Sequence, residues 1–175
     1  VIYTSKYKLL KKEHQHLAAT KLLSIGLKIE ENIDYFNEPI IVNDFGKPRL
    51  KNYPAIYYNI SHCKDYIALI ISRKYQVGID VEEIKNFTPY VARKVFTLKE
   101  IDRIYSSKCP NTEFFKYWTL KESFTKAIGK GIAFGMKNIE LNIINDSNII
   151  CNQEKCKFIL LQEDKYQIGI CYREV

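Results

Sequence analysis

Gln76-Val77-Gly78-Ile79-Asp80-Val81-Glu82 reads as a β-strand, rich in β-branched residues and ending in acid, and from Glu83 to Pro89 the pattern turns helical. The chain divides at this change. Upstream, residues 55–61 and 66–72 are two more β-rich runs. Short polar turns separate them from each other and from 76–81, which predicts a three-stranded antiparallel meander. A helix is expected over residues 7–27, with Leu9, Leu10, His14, Leu17, Leu22 and Leu23 near helical spacing and Gly26 at the C-cap position. A polar stretch follows, holding the turn signal Phe45-Gly46-Lys47-Pro48. Downstream, Thr97 and Glu100 have the spacing of a capping box, and a helix over 113–128 stops at Gly129. Strands are expected over 139–144, 157–161 and 166–172. Helix then three strands, followed by helices then three strands, predicts an α+β fold of two similar halves, 1–85 and 86–175. Each half would pack helix on a small antiparallel sheet.

Residues two apart on a strand share a face, so Asp80 and Glu82 project together. Paired carboxylates repel unless a cation or proton intervenes, and hard oxygen ligands of this kind suit Mg²⁺. The other reading is the solvated face of an edge strand. Trp118, Glu122 and Lys126 follow at a spacing of four, which puts them in one row on a helix. That row supplies an aromatic lid, a metal ligand and a phosphate clamp, or else an exposed Glu–Lys pair beside a core tryptophan. Ser61-His62 ends a strand where side chains are free to meet a ligand, and a charged His62 suits a phosphate. Lys47, in its turn, is a second candidate phosphate contact or a solvent-exposed lysine.

Composition narrows the partners. The net charge of +7 favours anionic ones, whether nucleic acid, phosphorylated ligands or acidic proteins, but the lysines are scattered rather than clustered. No apolar run approaches the roughly 20 residues of a membrane span, so no membrane contact is expected. The first residues lack the basic-then-apolar order of a secretory signal. Five cysteines, an odd number without zinc spacing, fit reduced thiols and a cytoplasmic location.

Phe45-Gly46-Lys47-Pro48, Asn59-Ile60-Ser61-His62, Gly78-Ile79-Asp80-Val81-Glu82, Trp118-Thr119-Leu120-Lys121-Glu122-Ser123 and Lys126-Ala127-Ile128-Gly129-Lys130-Gly131-Ile132 stand in an order that resembles the Sfp-type 4′-phosphopantetheinyl transferases. The resemblance spans residues 45 to 132. It implies two pseudo-symmetric halves forming one catalytic unit, with coenzyme A bound between them as substrate. It implies Mg²⁺ held by Asp80, Glu82 and Glu122 with a pyrophosphate oxygen, so Asp80 also counts among the coenzyme A contacts. Ser61, His62 and Lys47 would meet phosphates at the adenosine end, and Lys126 and Lys121 would neutralise the pyrophosphate. The chain departs from the family at Cys63-Lys64, where a small pair is usual. Lys6, Lys8, Lys11 and Lys12 are basic residues near the N-terminus without an assigned role.

The implied reaction moves phosphopantetheine from coenzyme A to a serine of an apo acyl or peptidyl carrier protein, with Glu122 and Lys126 as the catalytic pair. Glu122 would take the serine proton, directly or through a water. One chain should complete the site, so a monomer is expected. Two other classes compete. A basic nucleic-acid module predicts a clustered positive stripe with exposed stacking aromatics, which the scattered lysines oppose, so no nucleic-acid partner is expected. A silent coenzyme A scaffold predicts loss of the Asp80, Glu82, Glu122 and Lys126 set, which is intact.

Overall fold

The computed structural model describes residues 1–7 and 12–175. In chain order it forms β1 (Ile2–Lys6), α1 (Lys12–Glu31), β2 (Ile40–Val42), β3 (Pro48–Leu50), β4 (Tyr57–Cys63), β5 (Tyr66–Ser72) and β6 (Gln76–Glu83). Then come α2 (Pro89–Val95), α3 (Leu98–Ser106), α4 (Pro110–Ile128), β7 (Leu141–Asn145), β8 (Asn148–Cys151), β9 (Cys156–Glu163) and β10 (Tyr166–Arg173). Leu9 and Leu10, expected in the first helix, and Lys8 and Lys11 lie outside the described residues. Helix α1 runs past Gly26, which faces Leu69 and Ile71 of β5 instead of capping the helix.

Two three-stranded antiparallel sheets have the orders β1-β5-β4 and β6-β10-β9. The halves therefore repeat one plan: a strand, helix, a small two-stranded hairpin, then a hairpin that pairs back onto the first strand. The expected meander ends at β5. Strand β6 pairs instead with β10, Asp80 standing opposite Gly169. The seam between the sheets accordingly falls at residues 73–75 and not near 85, and β1, too short to stand out in the sequence, supplies the third strand of the first sheet.

The repeat is closest at the two hairpin turns. Tyr66 opens β5 and Tyr166 opens β10, and their rings lie 4.8 Å apart between the sheets. Each tyrosine hydroxyl donates across to a carboxylate near the other half's turn, Tyr66 to Glu163 and Tyr166 to Asp65. Around them Ala68, Ile70, Val77, Ile79, Val81, Ile168 and Ile170 form a buried core shared by both sheets. Burying such side chains contributes about 1.5–3 kcal/mol each, which is what docks the halves.

The opposite face of the second sheet carries α4. Pro110 sits in its first turn, and Gly129, in the left-handed conformation at φ 70°, stops it where expected. The helix lies unusually close to the sheet because two glycines face it. A methyl on Gly78 would stand 2.5 Å from Ala127 N and closer still to Ser123 O, and one on Gly169 would stand 2.6 Å from Leu120 N. The capping box of α3 is present, Thr97 and Glu100 each accepting from the other's backbone amide.

Candidate active site

Alternation along β6 sends Val77, Ile79 and Val81 into the shared core and turns Gly78, Asp80 and Glu82 towards α4. The close approach of α4 brings Glu122 and Lys126 over the same spot. Asp80, Glu82, Glu122 and Lys126 line one cleft of 360 Å³ with Ser61, His62 and Trp118. The site thus takes residues from both sheets and from α4.

Strand β4 runs beside β6 and grips it with side chains rather than a backbone ladder. Asn59 Oδ1 accepts from Ile79 N at 2.9 Å, and Ser61 Oγ accepts from Val81 N at 3.3 Å. These two bonds flank Asp80 and fix its backbone. The Ser61 hydroxyl donates to Asp80 Oδ1 at 3.1 Å and accepts from Lys126 Nζ at 3.1 Å. Its single proton is engaged and the residue is buried, so in this arrangement Ser61 braces Asp80.

Charge in the cleft is out of balance. Lys126 Nζ meets Asp80 Oδ1 at 2.6 Å, but Asp80 Oδ2 is buried without a hydrogen-bond partner among the described residues. Burial and the neighbouring Asp80 push the Glu122 carboxyl up to about 7, with Lys126 pulling against them. Burial and Asp80 also raise Glu82, whose carboxylate meets the Cys63 thiol at 3.6 Å. One ammonium among three crowded carboxylates, with an acceptor left over, fits the chemistry of a hard cation. Among the described residues no group of three or more Asp, Glu, His or Cys is already placed to hold a metal ion, so the three carboxylates line the cleft without converging on one point.

His62 is exposed at the rim of the cleft. Partial burial, then the charges of Lys126 and His16, hold its imidazole below the ordinary value. Lys47 lines an adjoining 200 Å³ cavity with Phe45, Gly46, Pro48 and Asn59, and Lys126 joins the two spaces. Its ammonium donates to Ala127 O at 2.7 Å and Val77 O at 3.2 Å, while Asn43 donates to Gly129 O at 2.8 Å. The first-half turn thereby caps the C-terminal carbonyls of α4. Burial lowers Lys47 to about 8, and one of its three donors is left for a ligand.

Lys121 is not in the cleft. It points to the far side of α4, fully buried, donating to Glu100 Oε2 at 2.6 Å and to the carbonyls of Val95 and Met136 at 3.2 Å each. Burial pushes its ammonium down while Glu100 pulls it back. Its neighbour in sequence, Glu122, faces the cleft, and consecutive helical residues lie about 100° apart. Lys121 is a structural cation tying α3, α4 and the approach to β7, since Glu100 Oε1 also accepts from Leu141 N at 2.9 Å.

Asn59 is the residue whose role the sequence did not disclose: only the side-by-side course of β4 and β6 reveals it. Trp118 continues a ring stack, Phe114 at 5.9 Å and Phe87 at 4.5 Å beyond that, so an apolar groove leaves the cleft at Glu82 and Trp118.

The sequence model of the 4′-phosphopantetheinyl transferase superfamily matches residues 76–171, from the first residue of β6 to β10. The chain belongs to that superfamily. It is 33% identical to the 4′-phosphopantetheinyl transferase gsp of Aneurinibacillus migulanus, over 77% of this chain and 59% of that one. It is 29% identical to the 4′-phosphopantetheinyl transferase psf-1 of Bacillus pumilus, over 74% and 58%. The chain thus spans about three fifths of the length of these relatives. Among solved structures, holo-[acyl-carrier-protein] synthase from Neisseria meningitidis shares the fold with a TM-score of 0.51 at 18% identity, covering 58% of this chain and 99% of that one. The Bacillus anthracis holo-(acyl-carrier-protein) synthase in complex with CoA (3′,5′-ADP) does so with a TM-score of 0.51 at 17% identity, covering 58% and 96%.

Proposed function

We propose that the chain transfers 4′-phosphopantetheine from coenzyme A to a serine of an apo acyl or peptidyl carrier protein, releasing adenosine 3′,5′-bisphosphate. The observation that carries this reading is the shared cleft, in which three carboxylates and Lys126 meet inside the segment matched by the superfamily. Asp80, Glu82 and Glu122 would hold Mg²⁺, and the buried, unpartnered Asp80 Oδ2 supports a cation there. Bound Mg²⁺ supplies Lewis acidity and offsets pyrophosphate charge.

The residues divide the remaining work. Lys126 reaches both Ser61 and Asp80 and is placed to neutralise the pyrophosphate. Lys47 and His62 meet coenzyme A phosphates from the first-half side, with the spare Lys47 donor and the imidazole at the rim. The serine oxygen attacks the phosphorus next to pantetheine, the bond to the bridging oxygen breaks, and Glu122 receives the serine proton directly or through a water. A carboxylate that holds a metal is a poor base, which favours the route through a water. Positioning and electrostatics supply most of what phosphoryl transfer requires.

The net charge of +7 supports an acidic carrier as partner, since complementary charge raises the encounter rate. We read the chain as a cytoplasmic monomer: its five cysteines are unbridged, and both halves of the site lie on one chain. The deciding experiment incubates the chain with coenzyme A, Mg²⁺ and a panel of apo carriers, followed by intact mass. A carrier gaining one phosphopantetheine is expected. No gain on any fatty-acid, polyketide or peptide carrier, with tight nucleic-acid binding instead, overturns the reading.

A further inference from the structure

Away from the cleft, the fold concentrates sulfur. Cys151, Cys156 and Cys171 gather on the α4 side of the second sheet, Cys171 buried in the core and the other two packed against the same cluster. On adjacent antiparallel strands Cys156 stands opposite Arg173, and Cys171 is two residues back on the same face. The two are therefore diagonal cross-strand neighbours on one face of the sheet. Cys156 is the first residue of β9 and lines a 470 Å³ cavity with Tyr75, Lys157 and Tyr172, so a small oxidant reaches it.

We propose that Cys156 and Cys171 are a peroxide-reactive thiol pair that closes to a cross-strand disulfide. Cys156 borders the cavity and Cys171 is buried, which makes Cys156 the attacking sulfur, and the neighbouring Cys171 thiol and then Arg173 hold its thiol below the ordinary range. Burial keeps Cys171 protonated, as the resolving thiol. Cys151 is set apart: its sulfur accepts from Gln153 N at 3.3 Å and faces Asn152, and burial raises its thiol to about 11.

The chemistry balances with a hydroperoxide as oxidant. The Cys156 thiolate attacks one peroxide oxygen, the O–O bond breaks, and the other oxygen leaves as hydroxide or alkoxide, giving a sulfenic acid. Cys171 sulfur then attacks the Cys156 sulfur, the S–O bond breaks, and water leaves with the Cys171 proton. Both sulfurs are oxidised by one unit as the peroxide takes up two electrons. Diagonal neighbours sit roughly 7–8 Å apart, beyond the usual disulfide span, so closure draws in the end of β9 and leaves a readily reduced bond. Cys171 stands opposite Gly78, beneath the α4 backbone from Ser123 to Ala127, so the bond forms under the turn that carries Glu122 and Lys126.

The test treats the purified chain with hydrogen peroxide, blocks free thiols, and maps peptides by mass spectrometry. Expected is the loss of two hydrogens in a peptide pair linked Cys156–Cys171, reversed by dithiothreitol. Cys151→Ser should keep the link and Cys156→Ser abolish it, whereas Cys171→Ala should carry Cys156 on to the sulfinic acid. If Cys171→Ala unfolds, the first two variants decide. An unchanged wild-type mass, or a link joining Cys151 to Cys156, overturns the proposal.

Discussion

Replacing Glu122 by glutamine should stabilise the protein while destroying its proposed activity. In the folded chain Glu122 titrates near 7 against an ordinary 4.5, because burial and Asp80 oppose its charge. A group whose folded value is raised holds its proton in the native state after the unfolded chain has released it. Stability is therefore full below about pH 4.5 and falls as pH rises to about 7, after which the loss is complete. The full shift corresponds to roughly 3 kcal/mol, and partial exposure of the side chain discounts this to about 1–2 kcal/mol. At pH 8 in chelator, Glu122→Gln should then melt about 4 °C above the wild type, and near pH 4.5 the two should coincide. Mg²⁺ should raise the melting temperature of the wild type by mass action and leave the variant nearly unmoved. Thermal unfolding followed by circular dichroism across this pH range is the assay. A variant less stable than the wild type at pH 8 in chelator would refute the picture of a repelled carboxylate awaiting a cation.

Three further outcomes are expected. Gly78→Ala should cost about 3 kcal/mol or more in denaturant unfolding, because its methyl meets α4 backbone that has no rotamer to yield; a loss below 1 kcal/mol would show that the helix can lift away. Lys121→Met should destabilise by roughly 3–5 kcal/mol by stranding Glu100, with Glu100→Gln/Lys121→Met recovering much of it. A stable Lys121→Met that has lost coenzyme A binding in calorimetry would return Lys121 to the cleft. His62→Ala should weaken coenzyme A more than dephospho-coenzyme A, and equal losses would show that His62 does not meet the 3′-phosphate.

The legible parts of the fold are those with local causes. Helix α4 and its stop at Gly129, the Thr97 capping box and the strands opened by Tyr66 and Tyr166 all follow from neighbours in sequence. Pairing is not local. The residues of β6 have strand propensity whichever partner they choose, so nothing within 76–83 announced β10 rather than β5. The short β1 is a strand only because β5 offers its edge. In the candidate site, the same-face rule put Asp80 with Glu82, and the spacing of four put Trp118, Glu122 and Lys126 in one row. Lys121 was misplaced although the helical phase already separated it from Glu122, and Glu100 in the capping box was the signal for its buried partner. Asn59 and the bracing role of Ser61 depend on β4 lying beside β6, which no window of sequence contains.

The seam at Arg73-Lys74-Tyr75 makes the two halves resemble subunits on a three-residue tether. A tether this short holds its ends at very high effective concentration, so docking across the Tyr66–Tyr166 core is an intramolecular association. Asp80 owes its fixed backbone to Asn59 and Ser61 of the other half, and the end of α4 owes its cap to Asn43 and Lys47. The second half alone would consequently keep the carboxylates and Lys126 but lack the wall of the cleft that Ser61 and His62 supply. Any change that loosens the association, even at the tyrosines, lowers the fraction of molecules in which the cleft is assembled, without touching a residue that lines it.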